Sequence, residues 1–292
     1  MARNRVKTFV LVAGLAGLMI LIGSVFGRVG AAIGFLAGIG IVGGSYWFSD
    51  RLAIRAARAV PVTEPEMPDY YRIVRELCAQ ADIAMPRLCV TPDAQPNAFA
   101  TGRNPSHAAV AATAGLFEVL DPDEPHGVLA HELSHVSNRD IPIGSVAAAI
   151  ATAICLIANL AMWGAALGGS DDDDAAVNPL ALLAAAILAA LAAGVLQMAL
   201  SRSRQFDADR SGADLIHDGE PLARALVKLD HASRLMPMAV RPEQAQVYAV
   251  YPLTGRKIRF AKLFSSHPTT EAPVACLRAQ SLGLSAAATV AP

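Results

Sequence analysis

At 292 residues the chain can hold one large or two modest domains, and 54% hydrophobic content with only 5% aromatic content departs from the balance of an ordinary soluble enzyme. The net charge is -1, and no face or stripe combines Lys/Arg with aromatics, which excludes nucleic acid as a partner. The four cysteines, Cys78, Cys89, Cys155 and Cys276, form no C-x-x-C pair and read as isolated reduced thiols rather than as a disulfide frame or a thiolate metal site.

Residues from about Thr8 to Phe26 form an apolar run, preceded by Arg3, Arg5 and Lys7, long enough to cross a hydrocarbon core of about 30 Å. After Arg28 a second run extends from about Val29 to Phe48. A cleavable signal peptide has a shorter apolar core and a small-residue cleavage site, so the two runs read as a membrane hairpin. Its glycines, including Gly34, Gly38, Gly40, Gly43 and Gly44, suit close helix packing, because no strand precedes them to form a cofactor loop.

Arg51, Arg55 and Arg58 follow, then a proline-rich stretch from Pro61 to Pro68 that reads as a linker into a folded domain. Helical periodicity through Tyr71, Val74, Leu77 and Cys78 predicts a helix over Pro68 to Ala81. Two strand-like runs come next, Arg87 to Thr91 and, after a Gly102-Arg103-Asn104-Pro105 turn, His107 to Thr113. Between them lie Asn97, Ala98, Phe99, Ala100 and Thr101. This segment is either an edge strand on which an extended peptide docks through main-chain hydrogen bonds, or a plain structural strand, which spacing alone favours.

The stretch that carries chemistry is His131-Glu132-Leu133-Ser134-His135. In a helix its imidazoles stand one turn apart on one face with the Glu132 carboxylate beside them, a zinc pattern with a built-in base. Upstream, Asp121 reads as N-cap, Pro122 as first helical residue and Glu124 as the third residue of a capping box, while Val128, Leu129, Leu133 and Val136 form a buried stripe. Two neutral imidazoles fill two of four tetrahedral positions, a third side chain completes the protein's share, and water takes the open one. Zinc brings the pKa of that water from ~15.7 towards ~7, and Glu132 can accept its proton. A surface helix that carries the pattern by chance is the alternative, and the capped amphipathic context speaks against it.

A third apolar run extends from about Ile143 to Leu167. The loop Gly168 to Asn178 holds Asp171, Asp172, Asp173 and Asp174, and lacking EF-hand spacing it reads as a solvated loop rather than a calcium site. A fourth run, about Pro179 to Leu200, ends in Ser201-Arg202-Ser203-Arg204. These alanine-rich runs could pair inside a soluble core, but their uncharged length favours the membrane. Positive charge at the N-terminal tail, at Arg51 to Arg58 and at Arg202/Arg204, set against the acidic third loop, places both termini and the motif helix on the cytoplasmic side of four crossings. The next helix carries Gln205 and Asp209 one turn apart. Asp209 suits an acceptor for a ligating imidazole N–H, and an ordinary surface carboxylate fits the spacing equally well. Beyond it the sequence predicts a helix from Leu222 to Leu235, a mixed region through Tyr251, a short helical piece from Ile258 to Phe264, and a C-terminal helix after His267-Pro268. His217, His231 and His267 lack zinc spacing.

With His131 to His135 between two membrane hairpins, Asn97-Ala98-Phe99-Ala100-Thr101-Gly102 upstream and Arg204-Gln205-Phe206-Asp207-Ala208-Asp209 downstream, nearly the whole chain resembles the HtpX-type membrane zinc endopeptidases, relatives of the CAAX prenyl endopeptidases. The resemblance implies a mainly α fold with a small β-sheet, a gluzincin-like α+β protease domain, plus four transmembrane helices. It divides the chain into an N-terminal hairpin (1–60), a first part of the protease domain (61–140), a second hairpin (141–200) and a second part of the protease domain (201–292). It implies one zinc ion per chain held by His131 and His135, Glu132 as general base, and Asn97 to Thr101 as the substrate-aligning strand. It also implies a multi-pass protein of the bacterial inner membrane whose substrates are damaged or misfolded membrane proteins in stress quality control.

Two positions depart from the family pattern. Gln205 stands where the family has the glutamate that is the third zinc ligand; an amide still offers a carbonyl oxygen but lacks the anionic charge zinc favours. Pro273 stands about where the family has an arginine after the His-Pro pair. The expectation is a membrane zinc endopeptidase impaired by Gln205. The alternative is a catalytically silent membrane protein that binds clients or a partner through the retained groove; a channel or transporter finds no buried charge in the apolar runs to mark an ion path.

Overall fold

The structure, a computed structural model, describes residues 47–141, 204–236 and 271–282, together with scattered helical positions between 28 and 44. The apolar runs at 8–26, 143–167 and 179–200 lie outside the described residues, and that at 29–48 is described only in part. His267, the aspartate loop and the expected helix at 258–264 also lie outside. Among the described residues no helix is long and apolar enough to cross a membrane. The described residues 47–141, 204–236 and 271–282 belong to one compact unit.

Helix α1 (Ser49–Ala56) leads into strand β1 (Val60–Pro61), helix α2 (Pro68–Ala81), strands β2 (Arg87–Thr91) and β3 (Ala98–Gly102), a 3-10 turn at Pro105–His107, strand β4 (Ala108–Thr113) and helix α3 (Ala114–Val119). Helix α4 (Glu124–Asn138) carries the two-histidine motif; α5 (residues 204–216), α6 (Glu220–Leu235) and α7 (Glu271–Ser281) complete the unit. The architecture is mainly helical with one small mixed sheet.

The sheet order is β1-β2-β4-β3, with β2 and β4 parallel and the other pairs antiparallel. Its strands show little polar alternation because both faces are covered. Leu88, Ala98, Ala100, Val110 and Ala112 face the main core, where Tyr70, Val74 and Leu77 of α2 meet Val128, Leu129 and Leu133 of α4. Cys89, Phe99, Ala109 and Ala111 face the other way, onto Ile54 and Ala57 at α1. Alanine at most positions of β4 keeps the pleated surface shallow, so helices approach both sides closely. Removing a fully buried leucine such as Leu129 costs about 2–5 kcal/mol on this account.

The helix over Pro68–Ala81 and the strand over Arg87–Thr91 coincide with the sequence expectation. The strand expected from His107 begins at Ala108, because Pro105 draws the preceding residues into a 3-10 turn. The supposed linker at Pro61–Pro68 is more structured than a tether. Val60 and Pro61 pair with Val90 and Cys89, and Thr63 donates to Glu66 from its backbone N–H at 2.7 Å, closing a turn into α2. Cys78, Cys89 and Cys276 are free, and burial pushes the Cys78 thiol up to about 11.

Candidate active site

Helix α4 starts later than the capping pattern implies. The Glu124 carboxylate accepts from the Asp121 backbone N–H at 2.8 Å, the capping-box bond, yet residues 122–123 form a turn and helical geometry begins at Glu124. The Asp121 carboxylate, free of capping duty, meets Lys228 Nζ at 2.9 Å. From there α4 runs almost wholly buried from Glu124 to Val136, between the sheet, α2, α5 and α6.

Burial on this scale exposes the polar motif residues to a low-dielectric interior, so each needs a partner. The rings of His131 and His135 stand 4.9 Å apart, edge to face. His135 Nδ1 lies 2.9 and 3.0 Å from the two Asp140 carboxylate oxygens. That contact is local in origin: Arg139 ends α4 in the left-handed conformation (φ 54°), turning the chain back so that Asp140 reaches the ring five residues before it. Arg204 Nη1 donates to the Asp140 carbonyl at 3.2 Å and ties the start of α5 to this turn.

His131 is backed from across the chain. Its Nδ1 lies 2.8 Å from Asp209 Oδ1, a close ion-pair approach, and its Nε2 lies 3.0 Å from Gln205 Oε1. Gln205 and Asp209 share a face of α5, and Gly212 continues that face one turn on. A Cβ at Gly212 would come within 2.9 Å of the His131 backbone nitrogen, so glycine is what allows the α5 backbone to sit against the motif. Gly127 performs the same service for α6, where a Cβ would come within 2.5 Å of the Leu222 nitrogen.

Glu132 is 2% exposed, and its Oε1 has no hydrogen-bond partner. Burial pushes its carboxyl up from the usual range, against the opposing pull of His131, His135 and the Ala100 backbone N–H. For His131 burial works against charge, but the Asp209 carboxylate, with Glu132 behind it, holds the imidazolium up to about 9.

The segment Asn97 to Thr101 forms β3 from Ala98, with the fully buried Asn97 just before it. It is an edge strand of the sheet, pairing with β4 on one side and packing beside α4 on the other. The structure therefore gathers His131, Glu132, His135, Gln205, Asp209 and β3 into one locality. His217 and His231 stay away from these contacts. Pro273 is buried within α7. Sequence reasoning missed Asp140 and Gly212. Pro142, two residues after Asp140, was the available sign that the chain stops and folds back just there. Among the described residues no three His, Cys, Asp or Glu side chains are disposed to hold a metal, since the third position beside the imidazoles is an amide.

A buried H-E-x-x-H helix with carboxylate-backed imidazoles, set on a helical domain with a small mixed sheet, defines the class of metallopeptidases. The profile of Peptidase family M48 matches residues 66–281, and the chain belongs to that family. It is 48% identical over 280 residues to the protease HtpX homolog of Syntrophobacter fumaroxidans, covering 94% of this chain and 99% of the relative. It is 45% identical over 282 residues to the homolog from Pelotomaculum thermopropionicum, covering 96% of this chain and all of that protein. The fold is similar to the crystal structure of S. mikatae Ste24p, with a TM-score of 0.53 at 17% identity, over 94% of this chain and 65% of that one.

Proposed function

We propose that this metallopeptidase is a zinc endopeptidase of the bacterial inner membrane, with its active site and both termini in the cytoplasm, that cleaves damaged or misfolded membrane proteins under stress. The observation that carries the reading is the buried Glu132 carboxylate, one oxygen unpartnered, beside two imidazoles whose Nδ1 atoms face carboxylates. With the Nδ1 atoms turned to carboxylates, an ion would be met through Nε2, at His131 in place of its contact with Gln205 Oε1. The donors suit zinc in kind: two buried imidazoles, each with a carboxylate at Nδ1, and the Gln205 amide oxygen, which approaches His131 Nε2 at 3.0 Å. His131 and His135 would hold the ion through Nε2, and Gln205 would offer its amide oxygen. The chemistry zinc supplies when bound is polarisation of the scissile carbonyl and activation of water.

Glu132 does the proton work. Its raised carboxyl makes it a competent acceptor for the attacking water's proton and a competent donor to the leaving amine. Asp140 and Asp209 fix ring orientation and raise imidazole basicity. The edge strand β3 offers main-chain groups to an extended substrate, and the Ala100 N–H that turns toward Glu132 registers that strand to the base.

The amide at Gln205 favours one second reading, a client-binding membrane protein with little or no turnover. Elemental analysis of the detergent-purified protein and of Gln205→Glu, with casein cleavage in parallel, separates them. One zinc and cleavage in Gln205→Glu support the peptidase mechanism, and the same from the unaltered chain shows that the amide suffices. Absence of zinc from both proteins overturns the reading in favour of client binding.

A further inference from the structure

Away from the active site, α1 presents a surface whose composition conflicts with plain solvent. Trp47, Phe48, Leu52 and Val60 are all exposed, Leu52 to 58%, although the sheet side of the same segment is packed through Ile54 and Ala57. Beside them opens a groove of about 420 Å³ with Phe48, Leu52 and Pro61 as its apolar wall and Arg51, Arg55 and Arg87 as its cationic one. Arg87 is spoken for by Asp50 at 3.2 Å, and Arg58, nearby, by Asp93 at 3.4 Å. Arg51 and Arg55 form no ion pair among the described residues; the Arg51 guanidinium lies only over the Phe48 ring, 6.0 Å from its centroid. On the same segment Arg103 stacks over Trp47 at 4.7 Å.

We propose that this groove binds an anionic phospholipid, with the phosphate between Arg51 and Arg55 and the upper acyl chains against Phe48, Leu52 and Pro61. The occupant follows from charge and position together. Two arginines with no ion pair among the described residues, one turn apart, make a fork for a phosphate, and their uncompensated charge favours a lipid of net negative charge over a zwitterion. Apolar side chains continuous with that fork demand that the same ligand carry hydrocarbon, which a free phosphate does not. The groove follows directly in sequence on the apolar run ending at Phe48, where aromatic and arginine side chains are suited to the headgroup layer and attract acidic lipid. The inference rests on the membrane reading above, but neither on zinc nor on cleavage.

The test is native mass spectrometry of the full chain released from detergent, titrated with phosphatidylglycerol, with phosphatidylcholine of the same chains, and with glycerol phosphate. Phosphatidylglycerol is expected to remain bound where phosphatidylcholine is stripped. Arg51→Gln with Arg55→Gln should cut the phosphatidylglycerol-bound fraction at least fivefold without changing that of phosphatidylcholine, whereas Arg72→Gln, which removes a cation paired elsewhere on the surface, should change neither. Equal retention of both lipids, retention unaffected by the double substitution, or equally tight binding of glycerol phosphate overturns the proposal. If the glutamine pair misfolds, Arg51→Lys with Arg55→Lys keeps the charge and must weaken binding by less. Detergent-phase partitioning of the same samples reads the membrane assignment independently: a chain that stays in the aqueous phase fails that reading first.

Discussion

The two ends of helix α4 meet their neighbours in opposite ways. At its start Asp121 and Asp123 pair with Lys228 and Arg224 of α6 at the surface, where water screens the charges and each pair holds the helix only weakly, while the buried Glu124 beside them meets the same Lys228. Two turns on, His131, Glu132 and His135 are nearly solvent-free, and their partners Asp209, Asp140 and Gln205 are as deeply placed. The exposed charges at the first end, Asp121 and Asp123, can be lost at little cost, while those at the second have no water to fall back on. The difference teaches that the surface pairs help align α4 with α6, whereas the buried set is kept at a cost in desolvation that only chemistry explains.

The sharpest way to break the comparison is at the base. Glu132→Gln in the Gln205→Glu background should lower casein cleavage by about 10²–10⁴-fold while zinc content is retained. Its melting temperature should not fall, because the change removes a buried carboxylate with an unpartnered oxygen. Next come the carboxylates behind the rings: Asp140→Asn and Asp209→Asn should each weaken zinc binding by about 10–100-fold in competition with a chelating dye. Equal affinity in both variants would show that the ring contacts are incidental.

Gly212→Ala tests how α5 reaches the motif. An added methyl meets the His131 backbone at 2.9–3.0 Å, so denaturant unfolding should show a loss of about 1–3 kcal/mol in place of the usual gain from alanine in a helix. Metal-stripped protein should also feel His131. With its folded-state value raised to about 9, the contribution of the charged ring to stability is complete below the ordinary histidine value of about 6.5 and is lost as pH rises through about 9. The melting temperature of the chelated protein should therefore drop across that window, and Asp209→Asn should flatten the drop. At the other end of the helix, Arg224→Met should move the melting temperature by less than about 2 °C; a larger shift would mean that the surface pairs matter more than the comparison allows.

Much of the protease domain could be read in advance, for reasons visible at particular residues. The α2 stripe and the β2 run announce themselves by period, and the H-E-x-x-H helix by a spacing that leaves the imidazoles no choice of face. The boundaries slipped where local chemistry competed. Pro105 delayed β4, and the turn at 122–123 delayed α4 although the capping bond itself formed. Asp140 was invisible because its role depends on one left-handed residue, Arg139, for which the sequence gives only the general hint of a nearby proline. Asp209 could be nominated but not decided, since spacing alone fitted a surface carboxylate as well.

The sequence by itself determined that His131, Glu132 and His135 share a helix and that two of them face the same way, because helical geometry is a property of neighbours in the chain. It also determined that Gln205 and Asp209 travel as a pair. Only the tertiary structure decided that this pair comes to His131 rather than to water, and that β3 lies at the sheet edge beside Glu132. Such contacts join segments distant in the chain. They depend on how closely two backbones can pack, and here on the hydrogen atoms that Gly127 and Gly212 present in place of side chains.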